Sequence, residues 1–413
     1  MLPKMGGVGK PKLNPILKLE KEARFFWLLF LAETIFMKYL KIFAILWISI
    51  SCTKGKLENE YQSLNYSLDT VRINSNGKNL DLTRFLAISD LDNERNSIFS
   101  YNEFDHSVDE LDLNTLSFAK KYSFEKEGPN GTGEYFYTFN VMKDCRFFIM
   151  SYEKSSIFDC NGSLKQGLDW INSKDLGGAI YGEIPRNQVF VESNELKVFG
   201  LGYDNIEKEV YLDMLSIEDD TFKRFNLNSK KSYADLILAI ENTSIFIDPE
   251  VYLKYENNTI IVSYEFSNEI VLFDPKEDFL KFIDYNPKKT PKIVKSMNGI
   301  NIASREQMQK EFQSFLEQVK YYPPVWDSLN KQYLRLSSTR VFHEIDNDLA
   351  LVPKTKEIKN YLSVFDAEFN LINELEIPDL SYTQGLYFAK NGSLWVFINL
   401  DDEMGFVRIN LSK

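Results

Sequence analysis

A chain of 413 residues, 44% hydrophobic and 26% charged, has apolar surface for a large folded core and is not a disordered or low-complexity sequence. Two histidines and three cysteines leave no three-histidine or four-cysteine zinc site, which disfavours much of metal-dependent hydrolysis. The charge is split: residues 1–51 carry eight Lys/Arg against three acids, and residues 52–413 carry 40 basic against 57 acidic residues, a sign that repels phosphate backbones and argues against nucleic acid as a partner.

Residues 37–52 have the three parts of an export signal: a basic start at Lys38 and Lys41, an apolar run from Ile42 to Ile50, and small residues before Cys52. The run is too short to span roughly 30 Å of hydrocarbon as a helix, which takes about 20 apolar residues. Ser-Ile-Ser-Cys resembles a bacterial lipobox, so Cys52 is the expected lipidation site and the membrane the expected partner of the anchor. An export signal normally starts a chain, so translation is expected to begin at Met37, with residues 1–36 an over-extended reading frame. Residues 53–60 form a polar tether, and residues 61–413 form the folded body.

From there to residue 300 the chain alternates short strand-like runs with polar turns: Arg84–Ser89, Asn96–Tyr101, Val108–Leu113, Glu134–Val141, Arg146–Tyr152 and Ser155–Asp159. The rhythm continues through Val189–Glu192, Leu196–Leu201, Glu209–Ile217, Phe222–Leu227, Ser244–Ile247, Val251–Glu256, Asn258–Phe266 and Glu269–Asp274. An aromatic share of 14% suits such pleated surfaces. Cys145 and Cys160 flank a hairpin that turns near Glu153. With Cys52 lipidated they are an even pair in an oxidising compartment, either a disulfide or two buried thiols.

A longer period selects the architecture. Ile157-Phe158-Asp159, Leu272-Phe273-Asp274 and Val364-Phe365-Asp366 each end a strand at an Asp-led turn, with separations of 115 and 92 residues that read as about two propeller blades each. The prediction is all-β, a six-bladed β-propeller of about 59 residues per blade. Gly385–Ala389, Ser393–Asn399 and Gly405–Leu411 make three strands of the last blade, and Tyr61–Ile73 supplies the fourth, which closes the ring. Ser304–Tyr321 breaks the pattern as an inserted amphipathic helix, capped by Ser304 with Gln307 and stopped by Pro323-Pro324.

After that helix, Tyr321-Tyr322-Pro323-Pro324-Val325-Trp326-Asp327 leads through a polar turn to Tyr333-Leu334-Arg335. With the lipobox, the helix and the late Val-Phe-Asp hairpin in the same order, the chain resembles a group of six-bladed-propeller lipoproteins of Bacteroidota-type bacteria. That resemblance implies a fold and an address in the envelope, probing no further into chemistry because it implies no established reaction. Tyr322, Trp326, Asp327, Tyr333, Arg335 and Arg340 are the candidate ligand-binding residues, since Tyr, Trp and Arg most often anchor partners. The competing reading packs these aromatics inside the blade and pairs Arg335 with Asp327.

No nucleophile elbow, zinc-protease motif, phosphate-binding loop or Cys-x-x-Cys occurs in the sequence. His106 and His343 stand alone and are assigned no catalytic role. Acidic turns at Asp90–Glu94 and Asp401–Glu403 offer oxygens to calcium without the spacing of a calcium loop. The expected function is a lipid-anchored binding module of the bacterial envelope, held at the outer membrane on its periplasmic or surface side, for a peptide, glycan or envelope protein. The alternative is a calcium-dependent hydrolase or lactonase whose ligands come one from each of several blades.

Overall fold

The computed structural model describes residues 64–412 apart from 153, 171–183, 193–195, 205, 240–245, 299, 301, 344–353 and 381–384. The signal segment, Cys52, the tether and the first residues of the closing strand as predicted lie outside the described residues. Within them the strands form six antiparallel sheets in ring order, the six blades expected from the sequence, and a small two-stranded sheet of Leu238–Ala239 and Phe246–Ile247 before blade 4. Blade 1 is Ser89–Leu91, Ser97–Asn102, Ser107–Asp112 and Ser117–Ser123; blade 2 is Thr138–Met142, Arg146–Met150, Ser155–Asp159 and Leu164–Leu168. Blade 3 is Arg186–Glu192, Leu196–Asp204, Glu209–Ser216 and Thr221–Asn226; blade 4 is Val251–Glu256, Thr259–Tyr264, Ile270–Asp274 and Phe279–Ile283. In blade 5 the first strand is split into Lys320–Tyr321 and Val325–Asp327, both paired with Gln332–Phe342, followed by Thr355–Phe365 and Leu371–Glu376. Blade 6 is Tyr387–Lys390, Ser393–Leu400 and Glu403–Ser412, completed by Asn65–Arg72, whose eight residues pair with the last strand from Asn65↔Ser412 to Arg72↔Gly405. The ring therefore closes through its first strand, as predicted.

Each seam between neighbouring blades has its own apolar cluster. Phe99, Tyr122, Phe136 and Phe147 fill the seam of blades 1 and 2, and Val191, Phe199, Ile260 and Phe273 that of blades 3 and 4. This face-to-face stacking explains why middle strands such as Thr259–Tyr264 are apolar on both sides instead of alternating. Outer strands meet water: Leu164–Leu168 and Phe279–Ile283 are mostly exposed and Ser117–Ser123 partly so, and the polar composition of Leu164–Leu168 hides it from a reading based on apolar runs.

The Asp-led turns are confirmed in detail. Asp159 Oδ1 accepts from the amides of Asn161 and Ser163 at 2.9 Å, and Asp366 Oδ1 from Glu368 and Asn370, so each carboxylate satisfies a third-to-fourth strand turn. Their spacing needs a correction. The 115 residues from Phe158 to Phe273 span two blades, but the 92 from Phe273 to Phe365 span one, because the helix and its connections lie between blades 4 and 5.

That helix is also shorter than predicted, Arg305–Leu316 instead of Ser304–Tyr321. Ser304 caps it by accepting from the Gln307 amide at 3.2 Å, and Phe312 and Phe315 pack against Phe266, Leu236 and Met297. Lys320 and Tyr321 have left the helix to pair with Ser338 and Ser337, and Pro323-Pro324 interrupts the first strand of blade 5 instead of ending the helix. Cys145 and Cys160 are joined by a disulfide, Cα–Cα 5.3 Å, one position beyond the Arg146↔Asp159 pair of blade 2.

Antiparallel order fixes two faces. First-to-second and third-to-fourth turns share one face, here the turn face; second-to-third turns and the connections between blades share the other, the loop face. The closing strand starts at Asn65 on the turn face, beside Ser412.

Candidate functional site

The predicted binding residues of blade 5 are the first to place. Arg335 is fully buried, and its guanidinium donates to the carbonyls of Tyr322 at 2.8 Å, Asn268 at 2.7 Å, Tyr264 at 3.3 Å and Ser267 at 3.4 Å, and to the Tyr285 hydroxyl at 3.2 Å. Its carbon Cζ lies 4.6 Å from the Tyr321 ring centre. Arg335 does not pair with Asp327; it collects carbonyls from the loop-face turn of blade 4 and rivets blades 4 and 5 together. Asp327 instead closes its own turn, accepting from the Leu329 and Asn330 amides at 3.1 and 3.4 Å and from the side chains of Asn330 and Gln332. Tyr333 stacks on Phe369 at 4.0 Å and tilts against Trp326 at 4.7 Å, while the Tyr322 hydroxyl meets Ser338 at 3.2 Å. Five of the six side chains are thus turned inward, and Arg340, near the loop-face end of its strand, is half-buried.

His106 is buried with both ring nitrogens occupied, Nδ1 by the Tyr101 hydroxyl at 2.8 Å and Nε2 by Thr132 at 2.7 Å, and burial lowers its affinity for a proton. Among the described residues no group of three or more His, Cys, Asp or Glu side chains is placed to hold a metal. Of the acidic turn at Asp90–Glu94, Asp92 is spent on the Asn96 and Ser97 amides, at 2.6 and 3.0 Å, which leaves the turn a poor fit to a calcium ion.

The ring axis gathers polar groups that the sequence reading did not connect. Arg95, in the first turn of blade 1, reaches across the turn-face end. It pairs with Glu256 of blade 4 and donates to the carbonyls of Trp326 in blade 5, at 2.9 Å, and Ala389 in blade 6, at 2.5 Å. Glu256 also accepts from the Trp326 amide at 3.2 Å, and the Lys390 ammonium donates to the Arg95 carbonyl at 2.7 Å. One side chain therefore ties four of the six blades. Further along the axis, Asp90 of blade 1 accepts from the Val141 amide at 2.8 Å and from Asn140 at 3.3 Å, both in blade 2. Burial at the centre of the ring outweighs these bonds and the charge of Lys254, and pushes the Asp90 carboxyl up to about 6.

The loop face differs in kind. Tyr135 and Tyr137 leave the connection into blade 2 with exposures of 44% and 52%, while Phe136 between them is buried against Tyr101 at 4.3 Å. Tyr152, in the second-to-third turn of the same blade, is 79% exposed, and its ring centre lies 6.4 Å from that of Tyr137. Phe104 in blade 1, Ile206 in blade 3 and Phe246 before blade 4 extend this exposed set around the same face. A separate cleft of about 510 Å³ lies between the outer strands of blades 4 and 5, lined by Phe282, Asp284, Asn286 and Glu368 among others.

Six four-stranded blades, a closing first strand and a polar axis define a six-bladed β-propeller. The sequence profile of the family described as domain of unknown function (DUF4221) matches residues 54–376, most of the chain, and the protein belongs to that family. Among solved structures it is similar to a DUF4221 member from Bacteroides vulgatus, with 10% identity and a TM-score of 0.59, over 86% of this chain and 100% of that one. It is also similar to a candidate exported protein from Bacteroides fragilis, with 9% identity and a TM-score of 0.50, over 84% of this chain and 96% of that one. At such identities the likeness concerns the fold. No curated protein matches the chain.

Proposed function

We propose that the protein is an exported, lipid-anchored envelope propeller that binds a peptide, glycan or envelope protein across its loop face. The observation that carries this reading is the cluster of Tyr135, Tyr137 and Tyr152, three large amphipathic rings held in water on one blade, two of them side by side. Exposed Tyr is costly in apolar surface and is the side chain most used where a partner supplies the missing cover. The anchor fits this orientation. A lipid on Cys52 would tether the ring through residues 53–64, at most about 40 Å of extended chain, to the first strand at the turn face, leaving the loop face free to turn away from the membrane. The description of the Bacteroides fragilis relative as exported agrees with this address.

Two experiments test it. Metabolic labelling with a palmitate analogue should mark the wild-type chain and not Cys52→Ser, and equal labelling would remove the anchor. Glycan and peptide arrays probed with the full chain should give ligands whose binding falls at least about tenfold in Tyr135→Ser/Tyr137→Ser/Tyr152→Ser. Retained binding in that variant, at unchanged Tm, would move the site elsewhere.

A further inference from the structure

Arg335 rivets blades 4 and 5 from within, but between their outer strands the seam opens into the cleft of about 510 Å³. Alternation along the outer strand of blade 4 turns Lys281 and Ile283 toward blade 5, while Leu280 joins the apolar seam with blade 3. The facing wall is the third-to-fourth turn of blade 5, from Glu368 to Leu371. Both ends of the cleft are built. At the turn-face end the Lys281 ammonium reaches the Glu368 carbonyl at 3.5 Å; at the loop-face end the chain runs on through Asp284 and Asn286 and crosses to blade 5, where the Lys288 amide donates to Glu374 at 2.5 Å. Ile283, Phe369 and Leu371 line the cleft and belong to the apolar cluster of this seam, so its base is apolar.

The rim is polar and has hydrogen-bonding capacity to spare. Among the described residues the Glu368 carboxylate and the Asn286 carboxamide make no hydrogen bond, and Lys281 has only the carbonyl at 3.5 Å. Asp284 commits Oδ1 to Lys292 at 2.7 Å and to Asn268 at 3.5 Å, which leaves Oδ2 available. All four side chains are exposed, and none is needed to close a turn or a seam. Their chemistry selects the ligand: an ammonium only donates, a carboxylate only accepts and a carboxamide does both. An anionic ligand is repelled by Glu368 and Asp284, and a cationic one by Lys281. A hydroxyl both donates and accepts, so a run of hydroxyls satisfies the whole rim without bringing a charge, and a sugar ring adds a C–H face for the apolar base. We infer that the cleft between blades 4 and 5 is a binding site for a neutral saccharide, its hydroxyls on Lys281, Asn286 and Glu368 and its ring against Ile283 and Leu371. The cleft volume lies within the range of small-ligand pockets, about 300–1,000 Å³, which suits a short saccharide. The site stands apart from the aromatic cluster of blade 2 and does not depend on it.

The test is saturation-transfer NMR titration of the full chain, in a detergent without a sugar headgroup, with maltose, cellobiose, lactose and chitobiose as neutral probes. Glucuronate and glucosamine serve as charged counterparts, and glycylglycine as a ligand with both charges and no hydroxyl. At least one neutral disaccharide is expected to bind, about fivefold or more tighter than any of these three. Lys281→Met and Glu368→Ala should each weaken it about fivefold or more with the circular dichroism spectrum unchanged, since both side chains are exposed. Tyr135→Ser/Tyr137→Ser/Tyr152→Ser should leave it intact; loss in that variant would move the saccharide to blade 2 and overturn the inference. Absence of binding by every neutral disaccharide, a charged probe or glycylglycine that binds as well, or binding indifferent to both Lys281→Met and Glu368→Ala would overturn it equally.

Discussion

Blades 2 and 5 are built from similar residues and use them in opposite ways. Tyr321, Tyr322, Trp326 and Tyr333 of blade 5 are all buried around Arg335 and Phe369, whereas Tyr135, Tyr137 and Tyr152 of blade 2 stand in water. The difference is one of backbone position. The blade 5 aromatics sit on or beside a first and second strand, where both faces are covered by neighbouring blades; those of blade 2 sit on a connection and a turn, where only alternate residues such as Phe136 find the core. Aromatic content alone therefore does not mark a binding surface; its placement relative to the stacked strands does.

The comparison breaks most readily at Arg335. Arg335→Met leaves up to four carbonyls without their donor in a fully buried site and should cost about 4 kcal/mol in denaturant unfolding. A loss below about 1 kcal/mol would return blade 5 to the list of surfaces. A smaller effect is expected at the axis. Asp90 is raised to about 6 in the folded protein from an ordinary 3.8, so below about pH 4 the carboxyl is protonated in both states and has no effect. As pH rises from there to 6, the unfolded chain releases the proton that the folded chain still holds, and stability is lost. Above that the full penalty of about 2 kcal/mol persists, discounted for the surface Asp90 keeps. Asp90→Asn should remove this slope, and identical pH profiles for the two proteins would refute it. Arg95→Met should cost a similar or slightly smaller amount, about 2 kcal/mol, because the Arg95–Glu256 pair is only partly exposed and Glu256 is left alone. The smallest effect is expected where function is assigned: Tyr152→Ser should change stability by no more than about 0.5 kcal/mol, with the melting temperature as the check.

Much of the fold was legible because a propeller writes its rhythm locally. Paired runs such as Val251–Glu256 and Ser155–Asp159 were read to the residue, and the Asp turns and closing strand followed from pattern. Leu164–Leu168 was missed because its polar, solvent-facing sequence carries no apolar run, Phe279–Ile283 was missed although four of its five residues are apolar, and the helix was overextended because Val319 keeps helical spacing after the chain has turned toward the strand at Lys320. The candidate sites were far less legible. Arg95 and Glu256 meet only because blades 1 and 4 stand opposite each other, and no local spacing encodes that. Tyr135 and Tyr137 did carry a signal, since each flanks an apolar Phe136 just before a strand, an alternation that puts both rings on the outer side.

Site-specific photo-crosslinking in intact cells tests the central claim most directly, with the reactive group placed in turn at Tyr152 on the loop face and at Leu329, also exposed, on the turn face. The account predicts a discrete adduct from position 152 and none from 329. Adducts from 329 alone, or none from 152 under conditions where the protein is correctly exported, would contradict it.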